Sequence, residues 1–321
     1  MSGPRLTAEE VRLLADTRPA GIILFGRNID NPAQLSALVG ELRRVLPKHA
    51  VLMVDQEGGR VQRLRPPHWG GHPAVAAIGA LHDRDPIAGK RAAWLQGALI
   101  GAEAATAGFD VVCAPVLDLL RPEGHGVIGD RAFGGDPHDV AALGAAMADG
   151  LLAAGVQPVA KHAPGHGRAG VDSHAVLPVV DGLDDADLAA FAPVSWMGWL
   201  MTAHVVYRSE DFRPATLSSH IIRHAIRGRL GFSGVLVSDD LNMGAISGPY
   251  PARVGAALAA GCDVALFCRG ELEANRDVLA GCPELSAGAA ARLAAARGMA
   301  ERARCPLDVA AMRAERDICL G

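Results

Sequence analysis

The stretch Val159-Ala-Lys-His-Ala-Pro-Gly-His-Gly-Arg-Ala-Gly-Val-Asp-Ser-His174 decides how the chain is built. It opens as the end of a short apolar run from Val156 to Ala160, then places Lys161, His162, His166, Asp172 and His174 in quick succession. Pro164, Gly165, Gly167 and Gly170 between them forbid a long helix and let the backbone turn tightly. A buried strand that ends on charge and passes into a glycine-rich loop is the arrangement of a site loop mounted on a rigid scaffold.

Outward from this stretch the same unit recurs. Short apolar strands are expected at Gly21–Phe25, Val51–Val54, Asp110–Ala114, Val156–Ala160, Leu200–His204, Gly234–Ser238 and Asp263–Phe267. Helical patterns separate them, at Asn31 to Leu46, about Asp85 to Ala107, Pro137 to Ala154, Leu217 to Leu230 and Ala252 to Ala260. Thr7-Ala-Glu-Glu10 opens the first helix like a capping box. Near-continuous apolar strands alternating with helices imply a parallel sheet covered by helices. Seven strands are clear, and an eighth is expected at Ala175 to Val180. Asp55, Lys161, His204 and Asp239 each fall at the carboxyl end of a different strand. In a barrel those ends converge on one face. The fold expected first is therefore a single-domain (β/α)8 TIM-type barrel over residues 1–321, with an open doubly wound α/β sheet as the alternative.

The totals agree with a helix-rich α/β protein. A chain of 321 residues buries roughly 75% of its unfolded surface and needs no staples. The net charge is -4 and no Lys/Arg block suggests nucleic acid or an anionic membrane. Six cysteines lie scattered without a C-x-x-C pair, as buried free thiols of a reducing compartment would. The N-terminus has no apolar signal core and no run approaches a membrane span, so the expected location is cytoplasmic.

Three chemistries compete for the loop. Gly165-His-Gly-Arg-Ala-Gly170 matches a dinucleotide fingerprint, but no helical pattern follows it to meet a pyrophosphate. His162, His166, Asp172 and His174 could ligate a metal, although clustered imidazoles on a Gly/Pro loop lack the usual helical spacing. The third reading pairs the loop with Ser238-Asp-Asp-Leu-Asn-Met243, where two adjacent carboxylates follow an apolar strand. Such carboxylates are costly to desolvate unless they are used or paired. Asp239 is read as catalytic and Asp240 as structural, although strand alternation cannot choose between them, since both parities are apolar.

Lys161-His-x-Pro-Gly-His-Gly-x-x-x-x-Asp-Ser-His174 with the downstream Ser-Asp-Asp-Leu-x-Met resembles the bacterial β-N-acetylglucosaminidases of glycoside hydrolase family 3. The likeness extends to Val54-Asp-Gln-Glu-Gly-Gly-Arg-Val-Gln-Arg63, Ile128-Gly-Asp-Arg-Ala-Phe133, Met201-Thr-Ala-His204 and the Gly231-Phe-Ser-Gly-Val run. The resemblance implies catalytic roles for Asp239 as nucleophile, His174 as general acid/base and Asp172 as its orienting carboxylate. It implies sugar-binding roles for Asp55, Arg63, Arg131, Lys161 and His162. It further implies a barrel, no cofactor or metal, and a GlcNAc-terminated muropeptide from peptidoglycan as substrate. An imidazole titrating near ~6.5 can replace the second carboxyl of a retaining glycosidase, because it gives and takes a proton near neutrality. A phosphorylase on the same fold, a metal-dependent hydrolase and a non-catalytic sugar-binding protein are the rival readings. His204 is open between a sugar contact and a satisfied core histidine, and His68 with Trp69 is expected to pack on the surface. Ala163 and Arg168-Ala169-Gly170 depart from the family pattern and leave the loop's mobility open.

Overall fold

The computed structural model describes residues 1–321, the side chain at position 194 excepted. Its strands are β1 (Gly21–Leu24), β2 (Val51–Val54), β3 (Gln56–Gly58), β4 (Val61–Gln62), β5 (Val111–Val112), β6 (Gln157–Ala163), β7 (Val179–Val180), β8 (Trp199–Thr202), β9 (Val206–Tyr207) and β10 (Val235–Val237). Six of them form one parallel sheet in the order β1-β2-β5-β6-β8-β10.

Both faces of this sheet are apolar, and its curl gives the two faces different partners. Val51, Met53, Val111, Cys113, Val159, Trp199, Met201, Val235 and Val237 form one cluster, the filling of the curl. The alternate residues Leu52, Val54, Val112, Ala160, Leu200 and Leu236 belong to a second cluster shared with the surrounding helices. This two-sided burial is the physical origin of strands without polar alternation. The helix Ala287–Ala303 reaches the filling through Ala296, and Arg292 donates to the Ser233 carbonyl at the start of β10.

The closed eight-stranded barrel expected from the sequence does not form, and the sheet is an open half-barrel. Asp263–Phe267, expected as a strand, makes a single bridge between Val264 and Val237. The Asp263 carboxylate accepts the Leu236 N–H and two guanidinium groups, Arg227 and Arg292, so this segment is drawn onto β10. Its other edge meets no strand. Between it and β1 lies a cleft of about 1240 Å³ lined in part by Ile22, Ile23, Val51, Val264, Leu266 and Leu293. The expected eighth strand is diverted as well. From Ala175 to Val180 only Val179–Val180 is extended, and it pairs with β9 outside the main sheet. The doubly wound alternative fails too, because strand order follows chain order and has no switch point where it reverses.

Most helices fall where the sequence places them. The capping box at Thr7 and Glu10 is present, with the Glu10 N–H on Thr7 Oγ1 at 3.1 Å and the Thr7 N–H on Glu10 Oε2 at 3.0 Å. The helix expected at Leu217 to Leu230 is instead a 3-10 turn (Ala215–Leu217), one α turn (Ser219–Ile221) and a π-helix (Ile222–Arg229). No helix among the described residues is long and apolar enough to cross a membrane. All six cysteines are free. Cys113 and Cys262 are buried as expected, but Cys282 and Cys305 are exposed.

Candidate active site

Strand parity aims the charged side chains. Asp55 continues the phase of Val51 and Met53, Lys161 that of Val159, and Asp239 that of Val235 and Val237, all residues of the inner filling. Asp240 takes the opposite phase. Its Oδ1 accepts the N–H groups of Asn242 and Cys268, both at 2.9 Å, so it fastens the chain after β10 to the Asp263–Phe267 segment.

Two residues beyond Asp55, the hairpin of β3 and β4 adds a second acid. Gly58 and Gly59, with φ of 104° and 56°, make its turn in a region that other residues enter only with strain. Gln56 points the other way and accepts the N–H groups of Arg63 and Leu64, which locks the hairpin's far side. Asp55 and Glu57 therefore face the same cations. Lys161 Nζ lies 3.0 Å from Asp55 Oδ1 and 2.6 Å from Glu57 Oε1. Arg63 Nη2 is 3.2 Å from Asp55 Oδ2, and Arg131 grips Glu57 with two bonds of 2.8 and 2.9 Å. Burial alone would raise the Glu57 carboxyl, but Lys161 and Arg131 outweigh it and hold it at about 2. Burial would lower the Lys161 ammonium, and Asp55 with Glu57 raise it instead. The acids and cations of this cluster thus stabilise one another's charged forms, and Arg63 Nε has no protein partner.

On the far side of Lys161 a buried acid organises the histidines. Asp118 Oδ2 lies 2.6 Å from His162 Nδ1, and Asp118 Oδ1 accepts the His166 N–H at 2.6 Å. The His162 N–H also points at this carboxylate, 3.2 Å from Oδ2. Burial would raise Asp118, and His162 overcomes that to lower it. With Nδ1 taken, His162 presents Nε2 to anything bound in the site.

Asp239 is the carboxylate these groups surround. Burial would raise it, but His162, His204, the Asp240 N–H at 2.8 Å and Lys161 together hold it below the usual carboxylate range. His204 has both ring nitrogens occupied, Nδ1 by Thr216 Oγ1 at 2.8 Å and Nε2 by the Asp240 carbonyl at 3.0 Å. It is a satisfied core histidine that acts on Asp239 through its position.

Asp172 and His174 sit apart from this buried group, on the outer part of the glycine-rich loop. His174 Nδ1 lies 2.8 Å from Asp172 Oδ1, which also accepts the His174 N–H at 2.9 Å. Burial would raise Asp172, and these two bonds lower it. The loop's backbone meets the turn that follows Asp239. Gly244 N–H donates to the His174 carbonyl at 3.0 Å, and Ala245 N–H to the Ser173 carbonyl at 3.3 Å.

The four loop side chains read as possible metal ligands thus have separate partners, namely Asp118, Ser173 and one another. No helix follows Gly165–Gly170, so the dinucleotide reading has no structural support either. Sequence reasoning missed Glu57, Asp118 and Ser173 as site residues and weighed His166 only as a possible metal ligand. Glu57 lies in the quoted motif in phase with Asp55. Asp118 is a lone acid in the apolar run Val116-Leu-Asp-Leu-Leu120, and a buried charge without a partner nearby in sequence is its signal.

The profile of the Glycosyl hydrolase family 3 N terminal domain matches residues 1–290. A β-hexosaminidase of Alkalilimnicola ehrlichii is 41% identical over 276 residues, which cover 84% of this chain and 79% of that protein. One from Xylella fastidiosa is 43% identical over 280 residues, covering 85% and 83%. Among solved structures, NagZ of Neisseria gonorrhoeae in complex with N-trifluoroacetyl-D-glucosamine aligns with a TM-score of 0.88 at 33% identity, over 100% of this chain and 96% of that one.

Proposed function

The chain belongs to glycosyl hydrolase family 3, and from that membership we propose that it is a retaining exo-β-N-acetylglucosaminidase with Asp239 as nucleophile and His174 as general acid/base. Asp239 Oδ attacks the anomeric carbon while His174 Nε2–H protonates the leaving oxygen, giving a glycosyl ester on Asp239. His174 then takes a proton from water, which attacks the same carbon and releases the carboxylate. Asp172 supports this by occupying His174 Nδ1, which leaves Nε2 free for the proton and stabilises the imidazolium. Asp55, Arg63, Arg131, Lys161 and His162 form the sugar-binding wall. Asp55, kept ionised by Lys161 and Arg63, accepts sugar hydroxyls. The substrate that fits this reading is GlcNAc-β-1,4-anhydro-N-acetylmuramyl peptide, released as cell-wall peptidoglycan is recycled in the cytoplasm.

The observation that carries the proposal is the ionised, inward-facing Asp239 at the end of β10, ringed by His162, His204 and Lys161. Labelling with a 2-acetamido-2-deoxy-5-fluoro glycosyl fluoride tests it. Mass spectrometry is expected to find one sugar per chain on the peptide holding Asp239. A label on another residue, or steady turnover with no covalent adduct, overturns the assignment.

A further inference from the structure

The segment that carries the acid/base dyad is mostly open to solvent. Gly170, Val171, His174, Ala175 and Val176 are exposed, Val176 by 58%. The chain just before it is tied down. Arg168 Nε lies 2.9 Å from Asp187 Oδ2, its Nη2 donates to the Gly182 carbonyl, and Ala169 is 2% exposed. Within 170–176 one residue is buried, Ser173, and its hydroxyl lies 2.9 Å from His166 Nε2. His166 is held from behind by Asp118, whose other oxygen holds His162. A chain of contacts thus runs from the imidazole beside Asp239 to the hydroxyl adjoining His174.

The geometry points to Ser173 and His166 as a positioning pair for the acid/base. Their hydrogen bond seats the exposed segment so that His174 Nε2 meets the leaving oxygen. This inference rests on the acid/base assignment of His174 made above. Ser173 precedes His174 by one residue, so a shift of its backbone is passed directly to the imidazole, and proton transfer requires hydrogen-bond reach. Burial drives the His166 ring down to about 4, so it stays neutral while His174 cycles between its two states. The bond to Ser173 joins two uncharged groups and does not change strength over a neutral pH range. The backbone bonds from Gly244 to the His174 carbonyl and from Ala245 to the Ser173 carbonyl hold this segment as well. A Cβ at Gly244 would stand 2.6 Å from the Ala175 carbonyl, so this approach needs glycine.

The test compares two substrates of Ser173→Ala, a one-atom deletion that leaves the backbone contacts in place. On 2,4-dinitrophenyl β-GlcNAc, whose leaving group needs no proton, kcat/KM is expected within about twofold of the parent. On GlcNAc-β-1,4-GlcNAc it is expected to fall by roughly 10–100-fold, part of the ~10²–10⁴ that general acid–base catalysis supplies. Azide is expected to speed turnover of the dinitrophenyl sugar and yield β-glycosyl azide. Its nitrogen bonds to the anomeric carbon as the Asp239 ester oxygen leaves, so no general base is needed. His166→Leu is expected to behave alike, and the double variant no worse than the poorer single. Equal losses on both substrates, no loss on either, or multiplying losses in the double variant overturn the pair. His174→Ala is the reference. If it shows leaving-group dependence and azide rescue while Ser173→Ala does not, the positioning pair alone falls. If His174→Ala shows neither, its own assignment falls and the pair with it.

Discussion

Glu57 illustrates what a single carboxylate does in a buried cluster. It lies between Lys161 and Arg131, and without it Arg131 would lose its carboxylate partner and Lys161 one of its two. Removing one member of such a group strands the other charges in low dielectric, which costs about 3–5 kcal/mol. Glu57→Gln is expected to lose that much in urea denaturation at pH 7. The carboxyl is lowered to about 2 in the folded chain from an ordinary 4.5. Its contribution is therefore complete above pH 4.5 and is lost as pH falls toward 2, because the unfolded chain takes up the proton first. The parent should lose stability over that window more steeply than the variant. A variant as stable as the parent at pH 7, or with the same acid slope, counts against this account. The residue scale also shows where sequence stopped. The residue pattern alone does not separate Asp239 from Asp240, because strand phase has meaning only once it is known that Val235 and Val237 fill the curl. Asp118 signals itself as a lone acid in an apolar run, but its partners were not legible, since His162 and His166 lie 44 and 48 residues away.

Among the elements, the helices Pro86–Thr106 and Pro137–Ala153 depend on glycines that sequence reading would count as helix weaknesses. A Cβ at Gly97 would sit 2.0 Å from the Met147 carbonyl, and one at Gly150 2.1 Å from the Trp94 carbonyl. The helices meet backbone to backbone at this crossing. Alanine at 97 gains about 1 kcal/mol in helix propensity but forces rigid backbone apart. The clash wins, and Gly97→Ala is expected to lower stability by about 2 kcal/mol, read from the urea midpoint. An unchanged or higher midpoint shows the crossing to be looser than described. Helix positions were legible because Thr7, Asn31, Asp85 and Asp136 cap their helices by local rules. The π-helix at Ile222–Arg229 was not, since its i→i+5 bonds obey no short-range pattern in the residues.

For the whole molecule, the sequence announces the alternation of strand and helix and the gathering of Asp55, Lys161 and Asp239 on one face. It does not announce closure. Asp263–Phe267 has a strand's composition, yet the Asp263 carboxylate commits one edge to β10 and leaves the other open toward β1. Whether two edges join is decided by the tilt of the intervening strands, which no local pattern encodes. The open seam has a measurable signature. Backbone amides of β1 and of 263–267 should exchange with deuterium faster than those of β6 and β8, which have partners on both sides. Equal protection in all four would mean that the wall closes in solution.

The sheet's sequential order also bears on how the polypeptide is made. β2 docks on β1, β5 on β2, β6 on β5, and so on to β10, so each new strand finds one neighbour already synthesised. A wall laid down in the direction of synthesis leaves few unpaired edges waiting on distant partners, and long-exposed edges are what draw growing chains into aggregates. The strand that leads to Asp239, the proposed nucleophile, arrives last, so that carboxylate is installed after Asp55, Arg63, Arg131, Lys161 and His162 have been made.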